Sequence, residues 1–256
     1  MVMKTILVLS PHLDDAVLSL GGMMAEKVKA GQSVLVYNLF CAPYHGPLSP
    51  AAQRLHEGWG DPEDITALRL EEDRRALELI GAQQIIGDAR DLIYRQSMQG
   101  DWLYSSMEDI QGERNPEDNA LVSAYFSRLS GMFSKEKFEI SAPLGIGGHI
   151  DHVLTYDIGV LLHQNEYCVK FYEDLPYALR EDYLSARLAS IPKMDSEIML
   201  FHLEQLDIKI EALHCYQSQI PSLFETEANM RDWMRQQALR LSGRADMGGE
   251  KVWIID

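Results

Sequence analysis

Residues 5–22 read TILVLSPHLDDAVLSLGG. Ile6, Leu7 and Val8 form an apolar, partly β-branched run that suits a buried strand. Ser10 and Pro11 end it, and residues 16–20 resume an apolar pattern at helical spacing. His12, Asp14 and Asp15 therefore fall where a strand turns into a helix. In open α/β sheets that carboxyl end of a strand is where sites are built. Two adjacent acids repel, and both stay ionised readily only with a cation beside them. A helix cap would employ one of the acids, leaving His12 and the other without a task.

A second polar cluster lies downstream at residues 147–152, GGHIDH. His149 and His152, three residues apart, can share one face of a turn or first helical turn, as a metal pair requires. Three nitrogen and oxygen ligands with one open position describe a catalytic metal site, whereas four protein ligands describe a structural one. The two clusters together point to a catalytic metal.

PHLDDAVLSLGG (11–22) and GHIDHV (148–153) resemble the two signature motifs of the LmbE/PIG-L family of zinc-dependent de-N-acetylases. Arg69 and Glu72 ahead of ALELIGA (76–82), YEDLPY (172–177) and KIEALHCYQSQ (209–219) extend the resemblance over residues 5–219. YEDLPY together with PLGIGGHIDH (143–152) is most similar to the branch of sugar deacetylases from glycopeptide-antibiotic biosynthesis. The resemblance implies His12, Asp15 and His152 as metal ligands and Asp14 as general base. His149 then stabilises the oxyanion or protonates the amine, with Asp151 either orienting its ring or serving only as a helix-terminal acid. Arg69 is expected to shape the sugar pocket. Ile146 and Gly147 stand where the family's aromatic oxyanion donor is expected, which leaves that role to His149 or the backbone. The implied cofactor is Zn2+, with another divalent ion such as Fe2+ as the alternative. The implied substrate is a small-molecule amino-sugar conjugate, a 2-acetamido sugar or N-acetylglucosaminyl conjugate, giving acetate and a free amine.

At 256 residues, with 46% hydrophobic and 24% charged residues, the chain is expected to form a single globular domain over residues 1–256. A net charge of −16 without any basic stripe speaks against a nucleic-acid partner and an anionic membrane surface. Cys41, Cys168 and Cys215 are widely spaced and odd in number, which suits free thiols in a reducing compartment. The N-terminal MVMKTILVLS has a short apolar run and reads as a first strand, not a signal peptide. A cytoplasmic location follows as the expectation, and no run approaches the ~20 apolar residues that span a membrane. The sequence allows a homo-oligomer without requiring one.

The first helix is expected over 16–30, with Gly21 and Gly22 inside it marking close packing. Strands follow at 33–40, 84–86, 138–143 and 169–173. Residues 41–60 and 87–117 read as long irregular stretches, with His45 and His56 not expected to bind metal. Asp61 and Pro62 read as the start of a helix ending at Ile80. Leu121, Tyr125, Leu129 and Phe133 form a core-facing stripe. Beyond Pro176, residues 182–190 and 226–241 read as helical, residues 198–203 as a strand or the beginning of a helix at 206–219, and residues 252–255 as a last strand. The fold class is thus α/β, a three-layer, Rossmann-like, mainly parallel sheet flanked by helices, with a smaller C-terminal subregion. The rival readings are hydrolysis of another N-acyl amide at the same metal and a non-catalytic metal- or sugar-binding protein. A phospho-receiver module with Mg2+ at an acidic pair is about half this length and has no use for the second histidine pair.

Overall fold

The computed structural model describes residues 3–60 and 62–255. Among them, seven strands form one sheet: β1 (Thr5–Ser10), β2 (Val34–Asn38), β3 (Gln83–Ile86), β4 (Phe138–Pro143), β5 (Cys168–Tyr172), β6 (Met194–His202) and β7 (Met247–Ile255). Their order in space is β3-β2-β1-β4-β5-β7-β6. The first five run parallel, and β7 pairs antiparallel with both β5 and β6. The described helices are α1 (Asp15–Lys29), α2 (Pro50–Gly58), α3 (Ile65–Ile80), α4 (Asn119–Met132), α5 (Ile150–Gln164), α6 (Glu181–Ser190), α7 (Leu203–Leu213), α8 (Ile220–Phe224) and α9 (Glu227–Ser242). Helix α1 packs with α3 and α7, while α4 packs with α5, giving the two outer layers of the α/β fold.

β1 is buried on both faces, with Leu7, Val8 and Leu9 inaccessible, as a central strand of a parallel sheet must be. From β1 the chain moves outward to β2 and β3, then crosses back to lay β4 on the other side of β1. Such a reversal opens a crevice at the carboxyl ends of the two strands. Both sequence clusters emerge there, the first after β1 and the second after β4.

Several expectations need correction. Residues 41–60 contain a helix, α2, started by Ser49, whose side chain accepts from the Ala52 amide, and by Pro50 in the first turn. The next helix begins at Ile65 with Asp64 as its cap, not at Pro62; Asp61 lies outside the described residues. Residues 198–203 fall mostly in β6, and the helix that follows ends at Leu213 instead of continuing to Gln219. The C-terminal subregion adds its two strands to the same sheet. Among the described residues, no helix is long and apolar enough to cross a membrane.

Candidate active site

The turn after β1 leaves Asp14 uncommitted, because Ser10 and Asp15 bond the backbone around it. Ser10 Oγ donates to the His12 carbonyl (2.7 Å) and accepts from the Ala16 amide (3.1 Å). Asp15 Oδ2 accepts from the His12 amide (2.8 Å). Asp14 makes no side-chain cap bond, and its φ of 152° is one that L-residues rarely adopt. A strained backbone of this kind persists where the surroundings hold it, and it recurs at functional sites. The Asp14 carboxylate lines a pocket of about 440 Å³ together with His12, Asp15, Arg69, His149 and His152.

Asp15 Oδ2 lies 3.4 Å from His12 Nδ1 and 3.4 Å from His152 Nε2. Metal–ligand bonds of 2.0–2.2 Å at tetrahedral angles separate donors by about 3.3–3.6 Å, so each histidine nitrogen stands from Asp15 Oδ2 at the spacing of two donors that share a small divalent ion. The other nitrogen of each ring is engaged by a carboxylate. His12 Nε2 donates to Asp151 Oδ2 (3.0 Å), and His152 Nδ1 donates to Asp174 Oδ1 (2.7 Å). In a neutral ring each bond leaves the Asp15-facing nitrogen with its lone pair, the arrangement metal-binding histidines commonly use. Asp174 also accepts from the Gly145 and Ile146 amides (2.8 and 3.0 Å), fixing the loop that leads to His149 and α5. The donor atoms of His12, His149 and His152 lie within 4.8 Å of one another, so His149 is also near enough to approach such an ion.

Asp151 departs from expectation. Its carboxylate is fully buried and turned away from His149, bonded to His12, to the Leu92 amide (3.1 Å) and to Arg95. The His149 ring is oriented by the Asp151 backbone instead, whose N–H donates to Nδ1 (3.3 Å). An accepting Nδ1 puts the proton of a neutral ring on Nε2. Burial, then His12 and His152, pull the His149 pKa well below the ordinary value, so the ring is neutral.

Arg69 stands beside Asp14 (3.7 Å) with its guanidinium over the Trp59 ring at 5.0 Å. Glu72 turns instead to Ser218, accepting from its amide (2.8 Å) and hydroxyl (2.6 Å). The Arg69 Nε is buried without a partner among the described residues. His45 does not line the pocket, and His56 bonds the Tyr94 hydroxyl (2.6 Å).

Three further groups at the site carried no role in the sequence reading, two of them lining the pocket. Asp91 comes within 3.8 Å of His12 Nε2. Tyr177 lies over Gly147 and meets the His152 ring edge-on at 5.7 Å. Asp174 is the third. YEDLPY contains both Asp174 and Tyr177, but neither has a partner nearby in sequence.

The charge balance of the crevice suits a cation. Burial, then the neighbouring Asp15, push the Asp14 carboxyl up to about 7, against the pull of Arg69. A metal on Asp15 acts directly against that repulsion. Burial opposes a charge on His12, yet Asp91, Asp15 and Asp151 raise its pKa well above the ordinary value.

Residues 7–162 match the family described as PIG-L: GlcNAc-PI de-N-acetylase. The chain belongs to this family. It is similar to 2'-N-acetylparomamine deacetylase of Niallia circulans, 28% identical over 188 residues and 68% of each chain. It is also similar in structure to the zinc-inhibited form of teicoplanin deacetylase (29% identity, TM-score 0.85), covering 98% of this chain and 97% of that one. A40926 pseudoaglycone deacetylase is 27% identical with a TM-score of 0.80, over 99% and 97% of the two chains. The family and the α/β fold expected from the motifs are thereby established, and with them a deacetylase of the N-acetylglucosaminyl type.

Proposed function

We propose that this PIG-L family member removes the acetyl group from a 2-acetamido sugar conjugate at a divalent metal held by His12, Asp15 and His152. Zinc is the first choice, because two imidazoles and a carboxylate with an open position form a known catalytic zinc donor set. Fe2+ at the same ligands is the alternative. The observation that carries the reading is the pair of 3.4 Å separations about Asp15 Oδ2, with both outer ring nitrogens bonded to carboxylates.

When bound, the metal lowers the pKa of the attacking water and polarises the acetamide carbonyl. Asp14 takes the water's proton as its oxygen bonds to the carbonyl carbon. His149, neutral and carrying its proton on Nε2, donates to the carbonyl oxygen as negative charge develops there. The donated hydrogen bond from the Asp151 amide to Nδ1 favours this role over that of a general acid. Asp14 then returns the proton to the leaving nitrogen as the C–N bond breaks, giving acetate and a free amine. Arg69, with an unpartnered buried Nε, is assigned to substrate hydroxyls. The names of the similar deacetylases support an amino-sugar glycoside or an antibiotic-linked sugar as the substrate class.

Elemental analysis paired with an amine-release assay tests this reading. The wild type is expected to carry one metal per chain and release amine from N-acetylglucosaminyl glycosides. His152→Ala is expected to lose both. Equal metal content in the two proteins overturns the ligand assignment. Metal binding without amine release favours a binding protein.

A further inference from the structure

The long stretch between β3 and α4 contributes a buried cation, Arg95, whose side chain is 7% exposed. Its guanidinium lies between two carboxylates. One terminal nitrogen donates to Asp151 Oδ1 and the other to Asp118 Oδ2 (2.6 Å), while Nε donates to the Arg90 carbonyl (3.0 Å). Its face rests over the Phe40 ring at 4.7 Å. Asp118 is itself fixed by the Tyr104 hydroxyl (2.7 Å), which in turn accepts from the Asn115 amide (2.9 Å). The position of the guanidinium is therefore set from several sides.

What that position controls is Asp151. Oδ2 of this fully buried carboxylate accepts hydrogen bonds from His12 Nε2 and the Leu92 amide, and Oδ1 accepts from Arg95. With both oxygens engaged, the carboxylate has one orientation, and so has the imidazole it holds. The remaining nitrogen, Nδ1, then faces Asp15 Oδ2. Without Arg95, Oδ1 loses its side-chain partner, and the carboxylate is free to rotate away from the ring.

We propose that Arg95 is a positioning residue for the metal centre, acting through Asp151 to fix the ring of His12. This rests on His12 being a metal ligand, as argued above. It gives residues 87–117 a task in addition to forming a pocket wall: they carry the outer support of the first metal-binding motif.

Loss of a group that orients a metal ligand typically costs 10–100-fold in metal affinity. The test measures Zn2+ affinity by chelator competition and the visible spectrum of the Co2+-loaded protein. The proteins compared are wild type, Arg95→Met, Arg95→Lys, Asp151→Asn, the Arg95→Met/Asp151→Asn double variant and His12→Ala. Each is also unfolded in denaturant, so that loss of fold is read separately. Arg95→Met is expected to bind Zn2+ about 10–100-fold more weakly with altered Co2+ bands. Arg95→Lys, which keeps the charge but not the fork, is expected to fall between it and wild type. The double variant is expected to bind no more weakly than Asp151→Asn alone, because Arg95 acts through that residue.

A folded Arg95→Met with wild-type affinity and spectrum overturns the proposal, as does a double variant showing the two losses added. If Arg95→Met fails to fold, wild-type affinity in Arg95→Lys overturns it instead. Metal binding in the wild type that survives His12→Ala removes the ligand assignment itself, and this inference with it.

Discussion

Asp14 and His149 divide the chemistry at the scale of single residues, and each does so because a neighbour has taken over a structural duty. Ser10 and Asp15 serve the start of α1, so Asp14 is left facing the pocket. The Asp151 amide holds His149 Nδ1, so Nε2 presents its hydrogen. His149→Ala is therefore expected to slow turnover by about 10²–10³, the cost of one oxyanion donor, with metal content unchanged. A His149 variant that loses metal as fully as His152→Ala would show that the ring is a ligand. The identities of these residues were legible because each motif is compact, with six side chains in two short strings. The partner of Asp151 was not. Its place next to His149 in sequence suggested a pair, but the first turn of α5 directs its carboxylate toward His12 and Arg95.

Among the elements, α1 is the one whose sequence conflicts with its structure, having two glycines mid-helix. The explanation is contact: a Cβ at Gly22 would lie 2.5 Å from the Phe201 ring on β6, and one at Gly21 would lie 2.8 Å from Lys209 Cγ on α7. Gly22→Val is expected to destabilise the protein by about 1–3 kcal/mol through overpacking, measured as a lower denaturant midpoint with unchanged slope. An unchanged midpoint would mean that β6 yields freely. The cost of glycine in a helix made this packing readable in advance, though not its partner. Helix α2 went unread despite its Ser49-Pro50 start, because three prolines and three glycines in residues 41–60 outweighed one short helix. The boundary at Leu213 was equally hidden, since the apolar spacing of residues 206–219 continues where the helix stops.

For the whole molecule, the site exists because the strand order reverses at β1, with β2 laid on one side and β4 on the other, and strand–helix alternation alone was enough to place both motifs at carboxyl ends of parallel strands. The antiparallel β7 and β6 were less legible, as their pairing depends on residues far apart in the chain. A buried ion pair ties β7 to α7, and its carboxylate also reaches α1. Lys209 donates to Glu250 (2.7 Å), and the Glu250 carboxylate also accepts from the Gly22 and Met23 amides (3.0 and 2.8 Å). Lys209→Met leaves that carboxylate buried without its counter-charge and is expected to cost about 3–5 kcal/mol. Adding Glu250→Gln is expected to recover part of the loss; additive losses in denaturant unfolding would contradict the coupling. The central claim, that this site hydrolyses an acetamide with Asp14 as base, is tested most directly by one comparison. Amine release from an N-acetylglucosaminyl glycoside is measured for wild type and Asp14→Asn at equal, verified metal content. The account predicts release by the wild type and a loss of about 10²–10⁴ in the variant; equal rates in the two proteins would contradict it.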